Sequence, residues 1–154
     1  MANTYSKILL QIVFAVKNRN ALLDKEWRSE VFSYMAASLN QRGNYSLAVN
    51  GYNDHVHLFF DYKSKELIQD IVREIKKSSN HFINEKFIQK GNFEWQTGYG
   101  VFSHGFRERG IIIEYITNQE EHHSKRKFKD EYLSLLENFE IEFKNEYLFD
   151  FLEQ

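Results

Sequence analysis

A chain of 154 residues with 42% hydrophobic content is sized for one domain, residues 1–154, around one core, and its lack of cysteine excludes disulfides, thiolate nucleophiles and zinc–thiolate sites. No run approaches the roughly 18 apolar residues of a membrane span, and the first residues lack the charged, apolar, small-residue order of a secretion signal, so a cytoplasmic setting is expected. The net charge of −2 conceals an asymmetry: residues 130–154 hold eight acids and one base, which leaves 19 bases against 14 acids, a balance of +5, in residues 1–129.

Residues 6–16 are apolar on both alternating faces, as a central strand is, and Lys17-Asn18-Arg19-Asn20 ends the run. Between 24 and 41, Trp27, Val31, Phe32, Met35 and Leu39 recur at helical spacing, with Gly43 suited to the C-terminal cap. Residues 45–52 and 55–62 read as two strands joined by a turn at Tyr52-Asn53-Asp54. A second amphipathic helix over 65–82 directs Leu67, Ile68, Ile71, Val72, Ile75 and Phe82 inward and Arg73, Lys76 and Lys77 largely outward. After a polar connection over 84–97 come a short strand at 99–104, a third helix at about 108–123 and a fourth at about 130–138. The order predicts an α+β fold, a split β-α-β arrangement of the ferredoxin-like or RRM-like kind. Its antiparallel sheet has helices on one face, leaves the other face free for a ligand or partner, and is followed by C-terminal helices.

Side chains two apart on a strand share a face at about 6–7 Å between Cα atoms, so His55 and His57 project together while Val56, Leu58 and Phe60 enter the core. Two neutral imidazoles side by side chelate a cation, although an isolated His-x-His is more often an ordinary strand pair. On the third predicted helix, Tyr115, Gln119 and His122 fall in one stripe at 100° per residue, which is also what a polar helix face with a half-buried tyrosine looks like. Basic residues cluster at Lys17/Arg19, Arg73/Lys76/Lys77, Arg107/Arg109 and Lys125-Arg126-Lys127/Lys129. His81 and His104 have no partner at metal-ligand spacing and read as structural. His104 would approach the histidine pair only if its strand neighboured theirs.

Taken together, these segments resemble the single-tyrosine HUH transposases of the IS200-like class. The resemblance lies in Asn53-Asp54-His55-Val56-His57-Leu58, where His-apolar-His is the HUH triplet. It extends to Ile12-Val13-Phe14-Ala15-Val16-Lys17-Asn18-Arg19, Val72-Arg73-Glu74-Ile75-Lys76-Lys77-Ser78-Ser79, Trp95-Gln96-Thr97-Gly98-Tyr99-Gly100-Val101-Phe102-Ser103 and Tyr115-Ile116 with Asn118-Gln119 and His122-His123. It runs from about residue 5 to 148 with spacings intact. It implies that Tyr115 is the nucleophile, that His55, His57 and Gln119 hold a divalent cation (magnesium or manganese), and that His122 is an auxiliary group. Lys17, Arg19, Arg73, Lys76, Lys77, Arg107 and Arg109 are the implied DNA contacts. The implied substrate is single-stranded DNA with hairpin ends. The implied assembly is a homodimer, the Tyr115 helix of one chain completing the histidine site of the other, with Gly105 and Gly110 flanking a connection that leaves docking in either chain open. One departure stands out: the family often has histidine where this chain has Gln11, a position expected to touch packing or DNA rather than the chemistry.

The chemistry fits the residue types. Rejoining strands without an energy source requires storing the phosphodiester bond covalently, and a phenolate supplies both nucleophile and leaving group. Two imidazoles and an amide carry no negative charge, so weak cation binding, completed by phosphate and with manganese at least as effective as magnesium, is expected. Two rivals remain: a catalytically silent relative that only binds hairpin nucleic acid, and a metal-dependent hydrolase using His55, His57 and His122. The acidic C-terminal segment is given no catalytic role.

Overall fold

The computed structural model describes residues 3–88 and 92–152. Four strands, β1 (Leu9–Ala15), β2 (Tyr45–Gly51), β3 (His55–Asp61) and β4 (Gly100–His104), form one antiparallel sheet in the order β2-β3-β1-β4. Helix α1 (Arg28–Gln41) links β1 to β2, and α2 (Ile68–Lys86) links β3 to β4. Three short helices follow: α3 (Arg109–Thr117), α4 (Gln119–His123) and α5 (Phe128–Asn138). The split β-α-β order expected from the sequence is the observed one. No helix among the described residues is long and apolar enough to cross a membrane.

The register sorts the strands' side chains between the two faces. Leu10, Ile12 and Phe14 pair with Phe60, Leu58 and Val56, so all six share one face, because directly opposed residues point the same way. They join Val31, Phe32, Met35 and Leu39 of α1 and Ile71, Val72 and Ile75 of α2 in the main core. Gln11, Val13 and Ala15 pair with Phe59, His57 and His55 on the opposite face.

That second face is not left free. Helix α3 covers its β2 side, where Ile116 closes a small cluster with Leu9 and Phe59, flanked by Leu47, Ile112 and Tyr115. Helix α5 covers the β4 side, where a Cβ on Gly100 would stand 2.7 Å from the Tyr132 hydroxyl, so glycine lets the helix settle on the strand. His55 and His57 lie between these two covers. The third helix also differs from expectation. Asn118 leaves helical geometry (φ −94°, ψ 24°), which divides the expected single helix into α3 and α4. Helix α5 starts two residues earlier than the expected 130, so Phe128 lies inside its first turn.

Candidate active site

The two histidines are held from behind so that their Nε2 atoms face a common centre. Both are 0% exposed, with ring centroids 5.1 Å apart. Asp54 Oδ1 lies 2.8 Å from His55 Nδ1, and Gln11 Nε2 lies 2.9 Å from His57 Nδ1. Gln11 Oε1 in turn accepts from His104 Nε2 at 2.8 Å. The Phe128 ring lies 4.1 Å from the His55 ring and nearly parallel to it, fixing its plane.

The centre is occupied by a carboxylate. Glu131 Oε1 lies 3.3 Å from His55 Nε2, 3.0 Å from His57 Nε2 and 3.2 Å from His123 Nε2. Its Oε2 accepts from Gln119 Nε2 at 3.1 Å and from the Tyr115 hydroxyl. Gln119 Oε1 faces His55 Nε2 at 2.9 Å and His123 Nε2 at 3.0 Å. Tyr115, Gln119, His55 and His57 of one chain therefore share one cluster.

Burial opposes charge on His55, but hydrogen bonds and Coulombic attraction from Asp54 and Glu131 outweigh it and raise its pKa to about 9. Burial prevails at His57, whose pKa is lowered. Burial would raise the pKa of Glu131, yet the surrounding imidazoles hold it well below the carboxylate range. Tyr115 is driven far above an ordinary phenol by burial and by the adjacent Glu131 charge. The cluster is thus a buried anion matched to a buried cation, with a protonated tyrosine donating into it.

One nitrogen each from His55 and His57 and one oxygen from Glu131 lie within 4.8 Å of one another, close enough to serve one ion. His123 turns its Nε2 to the same centre, 3.2 Å from Glu131 Oε1. A nitrogen-and-oxygen donor set with one carboxylate suits a divalent ion of the manganese or zinc type. The donors fit a cation. The expectation of an uncharged set is corrected, because the sequence reading omitted Glu131.

The other expected site residues divide. His122 is exposed and lies against the Tyr115 ring at 4.8 Å, while His123, four residues after Gln119, takes the inward place. Lys76 is half-buried rather than outward. Its ammonium donates to the carbonyls of Gln96 (2.8 Å) and Gly98 (2.7 Å), and burial lowers its pKa to about 8. Lys17 pairs with Glu94 at 3.0 Å, and Arg73 with Asp70 at 2.9 Å. Arg19, Lys77, Arg107 and Arg109 are exposed, with Arg109 stacked over Phe106 at 3.7 Å. His81 pairs with Glu85 on the surface at 2.7 Å. His104 sits on the far side of β1 from β3 and reaches His57 only through Gln11.

Sequence reasoning missed Glu131, His123, Asp54 and Gln11. Two left a usable signal. Glu131 lies on the apolar stripe of Phe128, Tyr132 and Leu136, where a lone carboxylate needs a partner, and His123 stands four residues after Gln119.

A sheet with this topology, a buried histidine pair and a tyrosine delivered by a following helix define a recognisable class. The family model described as "Transposase IS200 like" matches residues 4–119, and the chain belongs to that family. Among solved structures, a Deinococcus radiodurans R1 protein assigned as a transposase superposes with a TM-score of 0.61 at 23% identity, covering 77% of this chain and 95% of the other. A REP-associated tyrosine transposase bound to a REP hairpin superposes with a TM-score of 0.57 at 17% identity, covering 80% and 73%. No curated protein sequence matches the chain. The family-matched segment contains His55, His57, Tyr115 and Gln119 and ends before His123 and Glu131.

Proposed function

We propose that the protein cleaves and rejoins single-stranded DNA at hairpin-bearing transposon ends through a 5′-phosphotyrosine on Tyr115. The observation that carries this reading is the convergence of Tyr115, His55, His57 and Gln119 on one buried centre in a chain of the transposase family. The Tyr115 oxygen attacks phosphorus and the bond to the 3′ oxygen breaks. The phenolic proton is given up and the departing 3′ oxygen gains one, so a free 3′-hydroxyl and a covalent 5′ end result. Attack by a 3′-hydroxyl reverses the step and reseals a strand.

Glu131 aims the Tyr115 hydroxyl. The imidazoles that depress its proton affinity make it an orienting acceptor rather than a strong base. Asp54 and Gln11 keep both Nε2 atoms turned to the centre. A divalent cation, magnesium or manganese, held by His55, His57 and Gln119 together with Glu131, would supply positive charge against the phosphate. With a carboxylate in the set, cation binding in the absence of DNA is tighter than an all-neutral set allows. Each chain carries its own Tyr115 beside its own histidines, and a homodimer acting on the nucleoid in the cytoplasm supplies the two sites that excision of two ends requires. The hairpin-bound relative supports a folded DNA end as substrate.

The test is incubation with labelled single-stranded DNA from the protein's own locus plus manganese, followed by denaturing electrophoresis. A denaturation-resistant adduct is expected, abolished by Tyr115→Phe and by chelator. Cleavage without adduct would indicate a hydrolase, and binding without cleavage a silent hairpin-binding protein.

A further inference from the structure

We propose that the basic turn between α4 and α5 is a phosphate-binding cradle for the nucleotides adjoining the scissile phosphate, a DNA contact outside the family-matched segment. The inference rests on the reading above for what reaches Tyr115, and on its own observations for the cradle.

Lys125, Arg126, Lys127 and Lys129 fall within five residues, and all are exposed. None has an ion-pair partner among the described residues, whereas Lys17, Lys25, Arg28, Arg42, Arg73 and Lys86 are all matched to carboxylates. Four unmatched cations in one turn repel each other, and the usual relief for such a cluster is a polyanion. The turn is also concave. Lys125 and Arg126 are shared by two cavities, one of about 620 Å³ reaching Asn118 and His122, the other of about 780 Å³ reaching Lys127, Lys129, Phe149 and Phe151. Either is within the roughly 300–1,000 Å³ of ligand clefts.

The first cavity leads to the reacting tyrosine. His122, in its wall, lies against the Tyr115 ring at 4.8 Å, and the Arg126 guanidinium is near enough for its charge to favour the Tyr115 phenolate. Arg126 is pinned for this position: one nitrogen donates to the Asp130 carbonyl at 3.0 Å and to the Ser134 hydroxyl. A strand crossing from Tyr115 over His122 meets Arg126 and Lys125 first and then the second cavity. There the half-buried Phe151, backed by the buried Phe149, offers ring surface for a base while Lys127 and Lys129 offer cations for phosphates. Glu121 lines the first cavity and Asp130 and Asp150 line the second, and in each the cations outnumber the carboxylates. A run of cations with a ring face beside it, leading from a phosphate-attacking tyrosine, favours single-stranded DNA over an acidic peptide.

The experiment uses full-length Tyr115→Phe protein, which binds without cutting, and a fluorescent unstructured single-stranded oligonucleotide in chelator. Anisotropy is measured across a salt series. Changing Lys125, Lys127 and Lys129 together to Gln should weaken binding at least tenfold at 100 mM salt. It should also reduce the slope of log affinity against log salt by about 2, at about 0.7 per phosphate contact on a single strand. All three side chains are exposed, so the unfolding midpoint should not move, and the triple change to Arg should restore affinity and slope. Unchanged affinity and slope, or competition by polyglutamate equal to that by DNA, would overturn the cradle. The adduct assay on the wild-type chain keeps the two ideas separate. No adduct together with a lost salt slope removes the transposition chemistry and leaves the cradle, whereas an adduct with an unaltered slope does the reverse.

Discussion

Strand β3 presents two environments on one backbone, and their contrast explains most of the molecule. Val56, Leu58 and Phe60 are buried among aliphatic and aromatic neighbours on one face, and His55 and His57 are buried as completely on the other. The dry face draws its stability from apolar area removed from water, a non-directional gain that tolerates volume-conserving exchange. The polar face draws its stability from matching: Asp54, Gln11, Gln119 and Glu131 satisfy the two imidazoles atom by atom. Equal burial therefore conceals unequal tolerance. On the polar face, removing one partner strands the others.

The largest effect expected from breaking this contrast is on the dry face. Phe60→Ala should cost about 3–5 kcal/mol, read as a lower urea midpoint at unchanged slope. Cation binding by the molecules that remain folded should be unaltered. Next comes a pH effect that only the polar face can produce. The pKa of His55 is raised from an ordinary 6.5 to about 9, so its charged form contributes stability that is fully present below about pH 6.5 and is lost as pH rises through 9. The loss is about 3 kcal/mol, to be measured by denaturant unfolding in chelator at pH 6.5 and 9.5. His55→Gln should flatten that interval, and a wild-type profile that is flat or rising there would contradict the matched-charge account. The smallest effect belongs to Gln11. Replacing it with Leu should cost about 1–2 kcal/mol by leaving His57 Nδ1 and His104 Nε2 unpartnered, and should shift the His57 ring resonances in NMR while those of Phe60 stay in place.

The dry face was legible in the sequence because it follows periodicity. Alternation along residues 6–16 and 55–62 and the helical spacing of Val31, Met35, Ile71 and Ile75 are local patterns, and they led to the observed strand and helix order. The HUH triplet and Tyr115 with Gln119 were legible as motifs. The remainder depends on where separate segments meet. Glu131 looked like one more acid in an acidic segment, and only the docking of α5 across Gly100 turns it into the hub of the cluster. Spacing from Tyr115 favours His122, whereas His123 lies seven residues after the buried Ile116 and four after Gln119, and it is the one turned inward. Gln11 stands in the sequence as a departure from a family habit, yet its amide hydrogen-bonds both His57 and His104. Lys76 carries the same sequence signal as an exposed lysine and is instead held by two carbonyls from a distant loop.

The position of Glu131 in chain order bears on synthesis. Every other member of the cluster precedes it, so a chain emerging from the ribosome has its imidazole pair, its amide and its tyrosine before it has the carboxylate that unites them. Translation at about 5–20 residues per second leaves an interval in which the β4 side of the polar face is uncovered. A chain terminated in that interval has neither the anion that accepts from the Tyr115 hydroxyl nor the aromatic floor that Phe128 places under His55. Assembly of the polar cluster is thereby tied to completion of α5.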